Sequence, residues 1–250
     1  MATGREFDVI VYGSTGYTGR LVADYLARTY GVGGDLKWAM AGRSADKLAA
    51  VRDEIGAPAD TPLVVADANN PADLKSMAER AGCICTTVGP YQLYGEDVVS
   101  ACADAGTDYV DLCGEPAWMH QMIEKYEGAA QASGARIVFS CGFDSIPFDL
   151  GVWFTQEAAK ERFGAPVPRI KGRVRKMQGT FSGGTAASFK ATMASVGKDP
   201  SILSVLQNPF SLTMGFAGPD QPHGMAPIED TDIGSWSAPF IMASINTKNV

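Results

Sequence analysis

The first 140 residues alternate between two hydrophobic rhythms. Short apolar, β-branched runs stand at 7–12, 36–41, 62–66, 83–88, 108–112 and 135–140. Between them, 17–30, 45–55, 71–80, 96–105 and 116–133 are helix-like stretches. Strand and helix repeated at this spacing predict βαβ units, because parallel neighbours need a helix-length crossover between them. Gly31, Gly56, Gly82, Gly106 and Gly134 follow the five helical stretches. Glycine accepts the left-handed conformation that ends a helix, so each reads as a stop signal. The pattern predicts an α/β fold, a Rossmann-like doubly wound parallel sheet over residues 1–145.

Beyond residue 145 the texture changes. Residues 146–163 read as one more helix, ended by Gly164-Ala165-Pro166. The run 169–177 is a strand candidate that places Arg169, Lys171, Arg173 and Arg175 on one face by its period of two. Gly183-Gly184 open a helix-like run to Val196, and 199–230 read as a long loop with a short helix near 201–207. Residues 235–245 are apolar, with no terminator before Val250. The chain is therefore expected to stop inside a structural element, as a piece of a longer protein.

The first strand runs directly into Gly13-Ser14-Thr15-Gly16-Tyr17-Thr18-Gly19, which opens a helix. In such a turn the first glycine permits the bend and the second lets backbone approach a pyrophosphate. The third lets helix pack on strand. The helix N-terminus offers free N–H groups and a positive dipole end, and Ser14, Thr15 and Thr18 add hydroxyls. The second strand ends Ala41-Gly42-Arg43-Ser44, without the acid that would accept from a 2′-hydroxyl. Arg43, with Ser44 beside it, suits a 2′-phosphate, so NADP(H) is expected over NAD(H). Asp67, ending the third strand, is a candidate for the adenine amino group or for a helix cap. The fourth strand ends Thr86-Thr87-Val88-Gly89-Pro90-Tyr91. Ligands of doubly wound sheets lie at the carboxyl ends of strands, so Thr87, Val88, Gly89 and Pro90 are expected beside the nicotinamide side of the cofactor.

Charge narrows the partners. Lys and Arg number 21 and Asp and Glu 28, a net −7 in 250 residues, which disfavours nucleic acid. No apolar run reaches the ~18 residues of a membrane span. The five cysteines sit mostly in apolar runs, as buried thiols of a reducing cytosol do, and no metal-ligand spacing is present. None of the eight tyrosines has a lysine four residues on, which excludes the short-chain dehydrogenase pair.

Taken together, the turn at 12–19, Ala41-Gly42-Arg43-Ser44, Thr87-Val88-Gly89-Pro90-Tyr91 and Ala105-Gly106-Thr107-Asp108-Tyr109-Val110-Asp111-Leu112 make the chain similar to one oxidoreductase family. Gly114-Glu115, Cys141-Gly142-Phe143-Asp144-Ser145-Ile146-Pro147 and Ser182-Gly183-Gly184-Thr185 extend the match. It resembles the saccharopine dehydrogenase-like family, especially its enoyl reductase branch. The resemblance implies an NADP-dependent oxidoreductase acting on an unsaturated acyl or polyketide-lipid substrate, small or carrier-linked. It also implies that residues 146–250 begin a second α/β (α+β) domain, for substrate or dimerisation, which the chain leaves incomplete, and contact with an acyl carrier or polyketide synthase; a homodimer is a further expectation. Phe143 and Ser145-Ile146 depart from the amino-acid dehydrogenase pattern at this motif, where a Leu and a Pro-Gly pair stand.

Reduction of an unsaturated thioester needs donors at the thioester oxygen and a proton source. Tyr91, Tyr94, Asp144 and Ser145 are the candidates, with Tyr91 or Ser145 expected at the oxygen, and Glu115 is a further carboxylate on the same edge. A saccharopine-type amino-acid dehydrogenase and a non-catalytic NADP-binding sensor remain the competing readings.

Overall fold

The computed structural model describes residues 4–179, 183–221, 226–240 and 242–249. Six parallel strands form one sheet: β1 (Phe7–Tyr12), β2 (Trp38–Gly42), β3 (Leu63–Val65), β4 (Ala81–Thr86), β5 (Asp108–Val110) and β6 (Ile137–Val138). Their order is β3-β2-β1-β4-β5-β6, so the winding reverses between β1 and β4. The connecting helices are α1 (Tyr17–Tyr30), α2 (Ala45–Glu54), α3 (Pro71–Arg80), the short α4 (Tyr91–Tyr94), α5 (Glu96–Ala105) and α6 (Pro116–Ser133). This is the expected Rossmann-like sheet, with α1, α2, α3, α5 and α6 within a residue or so of the predicted helical stretches and α4 an addition to them.

Alternation within the strands builds a core on each face. In β2, Trp38 and Met40 point to one side, where they meet Ala23 and Leu26 of α1 and Leu48 and Val51 of α2. Ala39 and Ala41 point to the other, into the larger core that Ile10, Ile84 and Tyr109 share with α3, α5 and α6. Fully burying each large aliphatic side chain contributes roughly 1.5–3 kcal/mol. On the far side of β5 and β6, by contrast, Leu112 and Val138 stay 37% and 49% exposed.

Two sequence expectations change here. Gly82 does not stop α3. The helix ends at Arg80, and Gly82 lies inside β4, where an added Cβ would stand 3.0 Å from the Asp8 carbonyl oxygen. Its requirement is close approach of β4 to β1 rather than a left-handed φ. Residues 169–177 form no strand. Instead Lys171 pairs with Asp232, while Arg173 binds Asp230 at 2.6 Å and Asp232 at 2.9 Å. Two of the four basic residues thus face acids of this chain rather than standing free for an acidic partner.

The remaining elements are α7 (Ile146–Phe163), α8 (Gly183–Lys198), α9 (Ile202–Gln207), the antiparallel pair β7 (Ile228–Asp230) and β8 (Ser235–Ser237), and α10 (Ala243–Asn249). The apolar run at 235–245 divides between β8 and α10. Ser182 and His223 lie outside the described residues. No described helix is long and apolar enough to cross a membrane.

Arg5 ties two helix ends together. Its guanidinium donates to the carbonyls of Ala78 at 3.1 Å and Glu79 at 2.5 Å in α3, and to Ala105 at 2.6 Å in α5. These are the orphan acceptors and negative dipole ends of both helices. Arg5→Ala is expected to lower stability by about 1–2 kcal/mol, read as a fall in the urea midpoint at unchanged slope.

Candidate functional site

The site is built where β1 and β4 end side by side and their connections leave to opposite faces. Gly13 adopts φ +94°, and an added Cβ would meet Thr87 Oγ1 at 2.7 Å and Val88 Cγ2 at 2.8 Å. Gly19 is tighter: its Cβ would fall 2.2 Å from the Gly13 carbonyl oxygen. Gly16 has ordinary extended backbone at φ −81° and only a 3.3 Å approach to the same oxygen. The first and third glycines are therefore demanded by the fold. The second is tight rather than forbidden inside the fold, and its place at the open helix start also suits the approach of a ligand.

The hydrogen-bond inventory of the turn divides its groups. Gly13 N and Ser14 N donate to the Ala41 carbonyl at 2.9 and 3.1 Å, and Gly16 N donates to Gly13 O at 2.9 Å. Ser14 is buried and its hydroxyl donates to Val11 O at 2.7 Å, so it braces the turn instead of facing the solvent. No partner among the described residues takes the amides of Thr15, Tyr17 and Thr18. The first turn of α1 also carries no acid. Unpaired amides at a helix N-terminus free of carboxylates suit an anionic group such as a pyrophosphate.

Around this turn stand the other expected residues. Arg43 is exposed at the end of β2, with no hydrogen bond or ion pair to its guanidinium among the described residues. Ser44 caps α2, its hydroxyl accepting from Lys47 N at 3.4 Å. Asp67 accepts from Asn69 N at 2.9 Å in a local turn, while Asn70 is the cap of α3. Thr87 Oγ1 donates toward Tyr12 O and Gly13 O, both at 3.3 Å, locking the β4 end onto the turn. Gly89-Pro90 then leads into α4.

The catalytic candidates separate sharply. Tyr91 is buried, its hydroxyl donating to Thr86 O at 3.3 Å and accepting from Leu112 N at 3.4 Å. Burial drives its phenol far above the ordinary range. Tyr91 thus braces the ends of β4 and β5, with its hydroxyl turned to the backbone of both strand ends. Ser145 is also buried, with its hydroxyl 3.4 Å from Asn246 Oδ1 of α10. Asp144 and Tyr94 are exposed. Glu115 is buried, and all its bonds are to groups of this chain, so it is not an open proton source either.

A buried network that the sequence did not announce lies beneath this edge. Asp111 accepts from Tyr109 Oη at 2.7 Å, Ser140 N at 2.7 Å and Cys113 N at 2.9 Å. Ser140 holds φ +59°, with its hydroxyl on Cys113 O at 2.6 Å. Burial pushes the Asp111 carboxyl up to about 6, against the pull of those donors. The only sequence signal was a carboxylate closing an apolar strand.

A family model described as the saccharopine dehydrogenase NADP binding domain matches residues 9–138. The chain belongs to this family. Its cofactor is NADP(H), and the unpaired amides, the acid-free helix start and the exposed Arg43 fit it. Similar over 98% of the chain are the trans-acting enoyl reductases of Mycobacterium ulcerans (strain Agy99), 40% identical, and of Mycobacterium leprae (strain TN), 39% identical. The chain spans 60% of the length of these curated relatives. Among solved structures, apo histidine-tagged saccharopine dehydrogenase (L-Glu forming) from Saccharomyces cerevisiae superposes with TM-score 0.50 at 18% identity, covering 63% of this chain and 32% of that one. That likeness concerns the fold alone.

The glycines give one expected outcome. Gly16→Ala should lower the urea midpoint less than Gly19→Ala, its Cβ meeting the Gly13 carbonyl at 3.3 Å rather than 2.2 Å, and weaken NADPH about tenfold or more in calorimetry. Gly19→Ala should lose both stability and binding. Asp111 gives another. Its folded pKa lies above the ordinary ~3.9 of an unfolded Asp, so the native state binds the extra proton between about pH 4 and pH 6. Its contribution to stability therefore falls as pH rises through that window, by about 2–3 kcal/mol, and is flat above it. Asp111→Asn should remove that dependence, seen as a difference from the parent in urea midpoints at about pH 4.5 and about pH 7.

Proposed function

We propose that the protein is an NADPH-dependent reductase of an unsaturated acyl or polyketide-lipid substrate, the activity that the names of its mycobacterial relatives give to those proteins. The observation that carries the reading is the turn at Gly13–Gly19, with its unpaired amides beside an unpaired Arg43, in a member of an NADP-binding family.

In this reading Thr15, Tyr17 and Thr18 amides bind the pyrophosphate and Arg43 binds the 2′-phosphate. Val88, Gly89 and Pro90 border the nicotinamide ribose. The bound cofactor supplies the hydride. Asp144 is the exposed carboxyl on the loop after β6, and it holds the proton destined for the α-carbon. Ser145, the cap residue of α7 and partner of Asn246, orients that loop beneath α10. Residues 146–250 then begin the substrate domain, and the substrate arrives free or on an acyl carrier in the cytosol.

The test is NADPH oxidation, followed by its absorbance, with a trans-2-enoyl thioester. Asp144→Asn should cut turnover by about tenfold or more and leave the NADPH dissociation constant within about twofold. Arg43→Ala should weaken NADPH by about tenfold to hundredfold and NADH hardly at all, the worth of a charge-assisted contact. Equal loss of both nucleotides would remove Arg43 from the 2′-phosphate. One observation favours a second reading, a nucleotide-binding protein without turnover: the Tyr91 hydroxyl is fully engaged inside the fold. That reading expects binding heat with NADPH and no oxidation with any enoyl thioester.

A further inference from the structure

Glu115 lies just ahead of α6 and is 2% exposed. Its Oε1 accepts from Tyr91 N at 3.0 Å and from the Ser188 hydroxyl at 2.6 Å. Its Oε2 accepts from Gln92 N at 2.9 Å and Gln92 Nε2 at 3.0 Å. Tyr91 and Gln92 directly follow Pro90, so this carboxylate holds the exit of the turn assigned above to the nicotinamide side. Ser188 belongs to α8, 73 positions beyond Glu115 in sequence.

The same seam continues along α8. Gln92 Nε2 donates to Thr192 Oγ1 at 3.2 Å, and Gln92 Oε1 accepts from the Ser195 hydroxyl at 2.9 Å. Ser188, Thr192 and Ser195 share one helix face by their spacing. None of the described α8 residues is buried, and Phe189 and Met193 are exposed. The helix is thus held against the nucleotide-binding half by hydroxyl and amide groups rather than by apolar packing. Each such bond contributes only about 1 kcal/mol net, because water replaces it at little cost when the helix lifts. A polar seam of this kind sets position without fixing the helix permanently.

We propose that Glu115 is a positioning residue that registers α8 to the Val88-Gly89-Pro90 turn, so that NADPH at the turn and docking of α8 favour one another. The inference rests on the nucleotide site proposed above. One carboxylate oxygen serves both the Tyr91 amide and the Ser188 hydroxyl. A shift of the turn moves the first donor and changes the room left for the second. Linkage is reciprocal: whatever factor NADPH adds to α8 docking, α8 docking adds to NADPH affinity.

The experiment pairs amide hydrogen exchange of α8 with calorimetry, using NADPH as the probe, on the parent chain and on Ser188→Ala. Ser188 is a surface helix position where alanine is a better helix former, so the variant keeps the fold. Glu115→Gln serves as the second variant, since it places an NH₂ group against donors. In the parent, NADPH should slow α8 exchange by about fivefold to tenfold, while α5 amides serve as the unmoved reference. Ser188→Ala should abolish that slowing and weaken NADPH by the same factor. A merely structural serine would speed α8 exchange equally with and without NADPH, and that result overturns the coupling. Binding heat with parent α8 exchange unmoved by NADPH overturns it too. Absence of binding heat with NADPH overturns the nucleotide site itself and the coupling with it.

Discussion

The structure depends on the contact of the third turn glycine with the carbonyl of the first. With no side chain at Gly19, α1 can set its N-terminus against Gly13 at a distance that even one methyl group would forbid. That contact fixes the direction in which the amides of Thr15, Tyr17 and Thr18 emerge, and it brings Gly13 under Thr87. The Thr87 hydroxyl then closes the gap between β1 and β4, where the winding of the sheet reverses. An anion site and a topological switch point are thus one construction. The amides that cannot be paired without a ligand are the ones that the helix must leave unpaired.

From this point the polar groups of the edge fall into two sets. Those that brace the fold are buried and paired: Ser14 on Val11, Tyr91 between Thr86 and Leu112, Asp111 under Ser140, Glu115 on α4. Among the described residues, Arg43 and Asp144 are charged groups that remain open. A buried polar group without a partner costs about 1–3 kcal/mol, so the fold completes its bracing first and leaves open only what faces solvent or ligand. The chemistry of the edge therefore rests on its exposed groups, and its geometry on its buried ones. The Asp111 carboxylate illustrates the cost of the second class. It is satisfied three times over, yet burial still makes its charged form less favourable than in water.

Beyond the sheet the balance of forces changes. α8 meets the nucleotide-binding half through serine, threonine and glutamine, and the segment after α7 is tied to the end of β7 through the Arg173–Asp230 and Lys171–Asp232 pairs. Polar contacts of this kind are specific in register and weak in net stabilisation, whereas the sheet is held by the burial of Ile10, Ile84, Met40 and their neighbours. The two parts of the chain are thus held by different physics, which suits a rigid nucleotide platform beside elements that adjust to what they cover.

The sequence by itself determined the six parallel strands and the main helices between them over the first 145 residues, because the period of two in strands and the near fourfold spacing in helices are local properties of the chain. It determined the turn for the same reason, since Gly13, Gly16 and Gly19 act within one strand–helix junction. It also pointed to the 2′-phosphate, because Arg43 stands where an acid would otherwise accept from the ribose. Only the tertiary structure decided which polar side chains are free. Tyr91 and Arg43 look equally available in the sequence, yet Leu112 and Thr86 close around the first and no described residue pairs with the second. Gly82 read as a helix stop until β1 was placed beside it, and the basic positions 169–175 read as an alternating strand until Asp230 and Asp232 folded back onto them. In each case the deciding partner lies tens of residues away, and burial, which fixes the cost of leaving a group unpaired, exists only once those partners have met.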